Sequence, residues 1–194
     1  MKKIMLHACC GPCSLEPVRL LQEEGFDPTI CFSNDNIQPA AEFDKRLDTL
    51  TNWSDYAGIK VVVADYNPDR WEKACSAYGF DKDKRCRACY ALRLKETCRI
   101  ASEMGFEYVS TTLAVSPYQL YDVYTELLVN IAKSYGLKPI VRDFRPQYPV
   151  ATDRARDLGM YRQSYCGCRF SAAEAMIERH EARDARKQAK QANK

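Results

Sequence analysis

Three groups of cysteines are spaced so that their sulfurs can share metal ions: Cys9, Cys10 and Cys13; Cys86 and Cys89; Cys166 and Cys168. The first group lies in His7-Ala8-Cys9-Cys10-Gly11-Pro12-Cys13-Ser14, where Gly11 and Pro12 form turns and let the backbone aim several soft ligands at one centre. In the second, a CxxC at a helix start puts both sulfurs on one face, where the helix dipole favours thiolates. In the third, Gly167 lets the chain fold tightly, so that the pair either chelates one metal or closes a strained, easily reduced disulfide. These seven thiols exceed what one tetrahedral site or one cubane uses, since each takes at most four cysteines. Two centres, or one centre plus a redox pair, are required. Cys9, Cys10, Cys86 and Cys89 are expected to include the ligands of a cluster, because CC and CxxC groups at two element ends can converge. A cluster with only three cysteines would leave one iron open for substrate. Cys31, Cys75 and Cys98 stand alone and read as packing residues.

The elements that must position these groups follow from period and punctuation. Strands are predicted over 3–7, 29–32, 60–64, 108–111 and 139–141, with Val61, Val62 and Val63 marking the third as buried on both faces. Helices are predicted over 15–24, from Pro39 to Gly58, over 69–78, from about Cys86 to Met104, and from a Ser116-Pro117 start to Tyr135. The alternation implies an α/β fold: three layers around a mostly parallel sheet with right-handed crossovers. Residues 1–170 form a single domain carrying the metal site. From Phe144 the pattern is irregular until Ser171, where Ser-Ala-Ala-Glu reads as a capping box for a helix and basic tail over 171–194. In that tail Arg179, Arg183, Arg186, Lys187, Lys190 and Lys194 face only Glu181 and Asp184, the pattern of a solvated helix end.

The chain has 194 residues, 46% hydrophobic and 28% charged, with a net charge of +3, the composition of an ordinary globular domain. Neither a signal-peptide core nor a membrane span is present in the sequence, so a cytoplasmic location is expected, where thiols stay reduced and grouped cysteines are ligands or redox thiols. The turn after the first strand has neither GxxxxGK[ST] nor GxGxxG, and Cys9 and Cys10 stand where glycines would cradle phosphates. This argues against an ATP site.

Taken together, the run from His7 to Cys13, Asn34 to Pro39 with Glu42, Phe43 and Arg46, Cys86-x-x-Cys89-Tyr90 with Arg93-Leu94, Ser110 to Leu113 with Ser116-Pro117-Tyr118, Asp143-Phe144-Arg145, and Tyr161-Arg162-Gln163-x-Tyr165-Cys166-Gly167-Cys168 resemble the epoxyqueuosine reductase QueH family. The resemblance covers roughly residues 3–170. It implies an adenine-nucleotide α-hydrolase-like (Rossmann-like) fold and an iron–sulfur oxidoreductase that reduces epoxyqueuosine to queuosine at the tRNA wobble position. It also implies a [4Fe-4S] cluster, a second cysteine-bound iron or a redox-active Cys166–Cys168 pair, a tRNA substrate and an electron-donor protein or reductant. The chain departs from the family pattern at Gly11, where alanine is common, and at Gln119, where lysine is common.

Removal of an epoxide oxygen takes two electrons and two protons, which suits a cluster working beside a second redox or Lewis-acid centre. His7, Asp143 and Tyr165 are the candidate proton donors near the strand ends. Arg87, Arg93, Arg145, Arg162 and Arg169, interleaved with Tyr90, Tyr118, Tyr161 and Tyr165, are candidates to pair phosphates and stack an anticodon base. Two rival readings share parts of this pattern: an iron–sulfur tRNA thiolation enzyme, which would need ATP, and a zinc-stabilised nucleic-acid-binding module without catalysis.

Overall fold

A computed structural model describes residues 1–192. Five strands, β1 (Lys2–Ala8), β2 (Phe26–Phe32), β3 (Lys60–Val63), β4 (Tyr108–Thr111) and β5 (Lys138–Pro139), form one sheet in the order β3-β2-β1-β4-β5, and every pairing is parallel. Seven helices accompany them: α1 (Leu15–Glu23), α2 (Ala40–Ala57), α3 (Pro68–Cys75), α4 (Lys82–Glu103), α5 (Tyr121–Ser134), α6 (Tyr148–Asp157) and α7 (Arg169–Ala192). Right-handed crossovers send the chain outward through α1 and α2 on one face and back through α4 and α5 on the other, which gives the three layers. The order reverses between β1 and β4, so a crevice opens at their carboxyl ends. Cys9 follows β1 directly, which places the first thiols at that crevice.

The core explains why β1 is central. Ile4, Met5, Leu6 and Ala8 are wholly buried between the helical layers, with Ile30 and Phe32 of β2 and Leu94 of α4 against them. The valine run of β3 is different: β3 pairs only with β2, and Val61 and Val62 are half-buried while Val63 is 46% exposed. Sheet-edge position, not hydrophobicity, decides this, and the expectation of burial on both faces fails.

Among the further differences from the sequence reading, four have a side-chain contact behind them. The helix α4 starts at Lys82, because Asp81 accepts a hydrogen bond from the Lys84 N–H and caps it there, so Cys86 lies in the helix and not at its start. The Ser116 hydroxyl accepts from the Tyr118 N–H, folding residues 116–119 into a turn, and α5 begins only at Tyr121. The segment expected to be irregular contains α6, whose Ala151 and Ala155 are buried and whose Arg154 pairs with the buried Glu16 of α1. Nor does Ser171 cap α7: the helix starts at Arg169, and Glu174 reaches across to Arg85 instead of its own backbone. Beyond Arg179 the helix is solvated, as expected of the tail, and Lys194 lies outside the described residues. No helix among the described residues is long and apolar enough to cross a membrane.

Cys31 of β2 and Cys98 of α4 are completely buried in the main core, where burial pushes both thiols up, to about 11 and about 12. They are packing residues. A Cys31→Ala, Cys98→Ala double variant should bind metal like the parent chain and lose about 1 kcal/mol per site in chemical denaturation. Loss of metal with intact folding would return both cysteines to the ligand count.

Candidate metal centre and active-site cavity

Past Ala8 the chain makes a single 3-10 turn, Pro12–Ser14, before entering α1. That turn gathers Sγ of Cys9, Cys10 and Cys13 within 4.8 Å of one another. Ser14 donates to the Cys10 carbonyl at 2.8 Å, and Gln163 Nε2 donates to Cys10 Sγ at 3.0 Å, so the turn is pinned from both sides. Within the triad, hydrogen bonding with Cys10 and Cys13 holds Cys9 well below the ordinary thiol range, while Cys13 is pushed up.

The Cys166-Gly167-Cys168 loop is brought over this triad by Arg46 of α2. Its Nη1 and Nη2 donate to the carbonyls of Cys166 and Tyr165 at 2.8 and 3.1 Å, while Nε is held by Glu42 at 2.7 Å. Gly167 also donates to Ser171 Oγ, and its own carbonyl accepts from the Gln38 N–H at 3.0 Å. The cavity enclosed in this way measures about 460 Å³ and is walled by Cys9, Cys13, Cys86, Cys89, Cys166 and Cys168, with Asn36, Trp71, Tyr90, Arg93, Gln119 and Gln163 among their neighbours. Cys89, Cys168 and the fully buried Cys75 pack with Trp71 in a small apolar cluster of their own. Burial pushes Cys86 up to about 11 and raises Cys89 and Cys166 as well. The helix dipole expected to favour thiolates here is spent a turn earlier at Lys82, and desolvation wins.

Residues 4–174 match the sequence profile of epoxyqueuosine reductase QueH. The chain belongs to the QueH family. The epoxyqueuosine reductase QueH of Dehalococcoides mccartyi is 32% identical over 173 residues, covering 89% of this chain and 93% of that protein. Its counterpart in Thermotoga maritima is 31% identical over 181 residues, covering 90% and 92%. Among solved structures, the U34-tRNA thiolase NcsA from Methanococcus maripaludis, determined with its [4Fe-4S] cluster, superposes with a TM-score of 0.56 at 16% identity over 94% of this chain and 67% of that one. A predicted tRNA methyltransferase subunit from Methanocaldococcus jannaschii gives 0.54 at 13% identity, over 81% and 76%. These two likenesses establish the shared fold.

The donor set of this QueH chain fits a thiophilic metal or iron–sulfur cofactor: the three sulfurs are close enough for one centre to take all of them, and four more thiols stand around the same cavity. Among the described residues no three of Cys86, Cys89, Cys166 and Cys168 meet within 4.8 Å, and the CC and CxxC sulfurs do not form one tight group. The preassembled unit is the Cys9–Cys10–Cys13 triad.

The candidate proton donors fare differently. His7 is completely buried, shares a 2.9 Å hydrogen bond with Thr111 Oγ1, and is driven down to about 3 by burial and the nearby Arg93 charge, so its imidazole is neutral and has no extra proton to give. Asp143 is clamped by Arg145 at 2.6 Å, which holds it below the usual carboxylate range, and it lies outside the cavity wall. Tyr165 lines the cavity, but its hydroxyl donates to the Gln38 carbonyl at 2.6 Å. Of the residues expected to meet RNA, Arg87 is paired with Glu126, Arg145 with Asp143, and Arg169 with Glu72. The Tyr161 hydroxyl donates to Glu42, Arg162 is exposed, and Tyr118 stands at the rim, 71% exposed. Arg93 lines the cavity and is 1% exposed, buried unlike the other arginines of this group.

Sequence reasoning gave no role to Asn36, Gln119 or Gln163, which carry no distinctive charge or spacing; the fold brings the amides of Gln119 and Gln163 to the sulfurs of Cys166 and Cys10, and that of Asn36 against Gly167. Tyr90 donates to Gln119 Oε1 at 2.9 Å, and Gln119 in turn faces Cys166 Sγ at 3.7 Å. Gly167 is required by close approach: a Cβ there would lie 2.5 Å from Asn36 Nδ2 and 3.2 Å from Ile37 Cγ1. Gly167→Ala should cost about 1–3 kcal/mol in thermal or chemical denaturation and loosen the loop, so that metal retention falls in parallel. Unchanged stability and retention would show that the loop does not sit against Asn36.

Proposed function

We propose that the cavity is where this oxidoreductase converts epoxyqueuosine to queuosine in tRNA, with the thiols holding its redox centre. The observation that carries the reading is the triad of sulfurs within 4.8 Å of one another, two of which, those of Cys9 and Cys13, line a cavity of about 460 Å³, in a chain of the QueH family. A cavity of that volume suits one nucleoside-sized group. The reaction balances as two C–O bonds broken, a carbon–carbon double bond formed, and the oxygen lost as water after uptake of two electrons and two protons.

Cys9, Cys10 and Cys13 would hold a [4Fe-4S] cluster, and Cys86, Cys89, Cys166 and Cys168 a second iron; bound there, the metals would supply electrons and a Lewis acid. The alternative for Cys166 and Cys168 is cycling between dithiol and disulfide. A protein or small reductant must deliver the electrons. The chain itself excludes water and orients the target: Trp71 and Leu113 give the cavity apolar wall, and the rim carries Tyr118, edge-on to Tyr148 at 6.2 Å, as a stacking surface for a neighbouring base. Protons are held within the cavity at the Tyr90 hydroxyl, which burial keeps protonated, and at the thiols themselves. The Tyr90–Gln119–Cys166 line connects the two kinds of donor.

Anaerobic iron and sulfide analysis of Ser variants tests the division of thiols. Replacing Cys9, Cys10 or Cys13 should remove iron and sulfide together, whereas Cys166→Ser should lower iron and leave sulfide intact. Full iron with failure only after the first turnover would assign Cys166 and Cys168 to disulfide cycling. A triad variant with full iron, full sulfide and wild-type reduction of epoxyqueuosine in tRNA would refute the assignment of that cysteine.

A further inference from the structure

Three arginine side chains are almost wholly buried, Arg46, Arg85 and Arg93. Two have carboxylate partners: Arg46 meets Glu42 at 2.7 Å, and Arg85 meets Glu174 at 2.7 Å. Arg93 has none among the described residues. Its Nη2 donates to the neutral amide oxygen of Asn34 at 2.8 Å, and its Nε and Nη1 are buried without a partner. An unpaired charge in a protein interior is strongly unfavourable unless an opposite charge joins it.

The surroundings supply that charge. Arg93 shares the cavity wall with Cys9, Cys89 and Cys166, and these three sulfurs are the groups that most favour its charged form. Asn34, which holds Arg93, also donates to the Ala8 carbonyl at 2.8 Å. The guanidinium is thus fixed relative to the end of β1, one residue before Cys9. Metal binding requires the thiols to lose protons, which adds negative charge around this point. A guanidinium is weakly hydrated and has several directed N–H groups, so it suits a buried anionic partner.

We propose that Arg93 is the fixed counter-charge of the metal centre, a positioning residue whose free Nε and Nη1 face thiolate sulfurs when Cys9 and its neighbours bind metal. This rests on the thiolate-held centre proposed above. It also carries a signature that a structural tie would lack. Removing the charge should weaken metal retention yet spare the metal-free chain, because there the charge is unpaired.

The test uses the full-length chain, wild type, Arg93→Met and Arg93→Lys, each loaded anaerobically with iron and sulfide. Loss of visible absorption under an iron chelator reads retention, and melting of the metal-free chains reads stability. Arg93→Met should release its metal about 10–100-fold faster, Arg93→Lys should fall much nearer the wild type, and the metal-free Arg93→Met chain should melt no lower than the wild type. Wild-type retention in Arg93→Met, release from Arg93→Lys as fast as from Arg93→Met, or an Arg93→Met chain that melts lower or does not fold would each overturn the role of Arg93. A wild-type chain that takes up no iron would refute the metal centre itself.

Discussion

The site depends on one buried fork. Arg46, on the second helix, joins Glu42 to the carbonyls of Tyr165 and Cys166, groups about 120 residues further along the chain. The Cys166–Cys168 loop belongs to no strand, so its position over the first thiols rests on this fork and on the backbone contacts of Gly167. Because the guanidinium is matched by Glu42 and its remaining donors are used on carbonyls, burial of the charge is compensated within the fork itself.

Around the fork, the buried segment from Ser33 to Gln38 works as a polar strut. Asn34 bridges the Ala8 carbonyl and Arg93; Asp35 takes Arg70 and the Asn67 N–H; the Ile37 and Gln38 carbonyls accept from Tyr66 and Tyr165. A buried irregular loop survives only when such groups are satisfied. These bonds reach the end of β1, the first turn of α3, α4 and the last thiol loop.

Burial sets the electrostatics of the cavity more than helix dipoles do. It keeps His7 neutral and raises Cys86, Cys89 and Cys166, while at Cys9 hydrogen bonding with Cys10 and Cys13 outweighs burial and lowers the thiol. Proton donors chosen by residue type and nearness to a strand end missed this. Asp143 and Tyr165 have their polar atoms committed elsewhere, while Tyr90, a residue that sequence alone offered only for stacking, turns its hydroxyl toward Gln119 beside Cys166.

The sequence by itself determined the chemistry and the layers. Cysteine spacing is local, so the CC, CxxC and CxC groups, the strand end that carries the first of them and the alternating α/β pattern were all legible. Strand order and partners are non-local, and only the tertiary structure decided them: that the Val61–Val63 run is an edge, and that the Tyr148–Asp157 helix is held by Arg154 on Glu16. The same limit explains Arg93. Along the chain it is one of many arginines on a helix, and its lack of a carboxylate becomes visible only when the fold has placed every other charge.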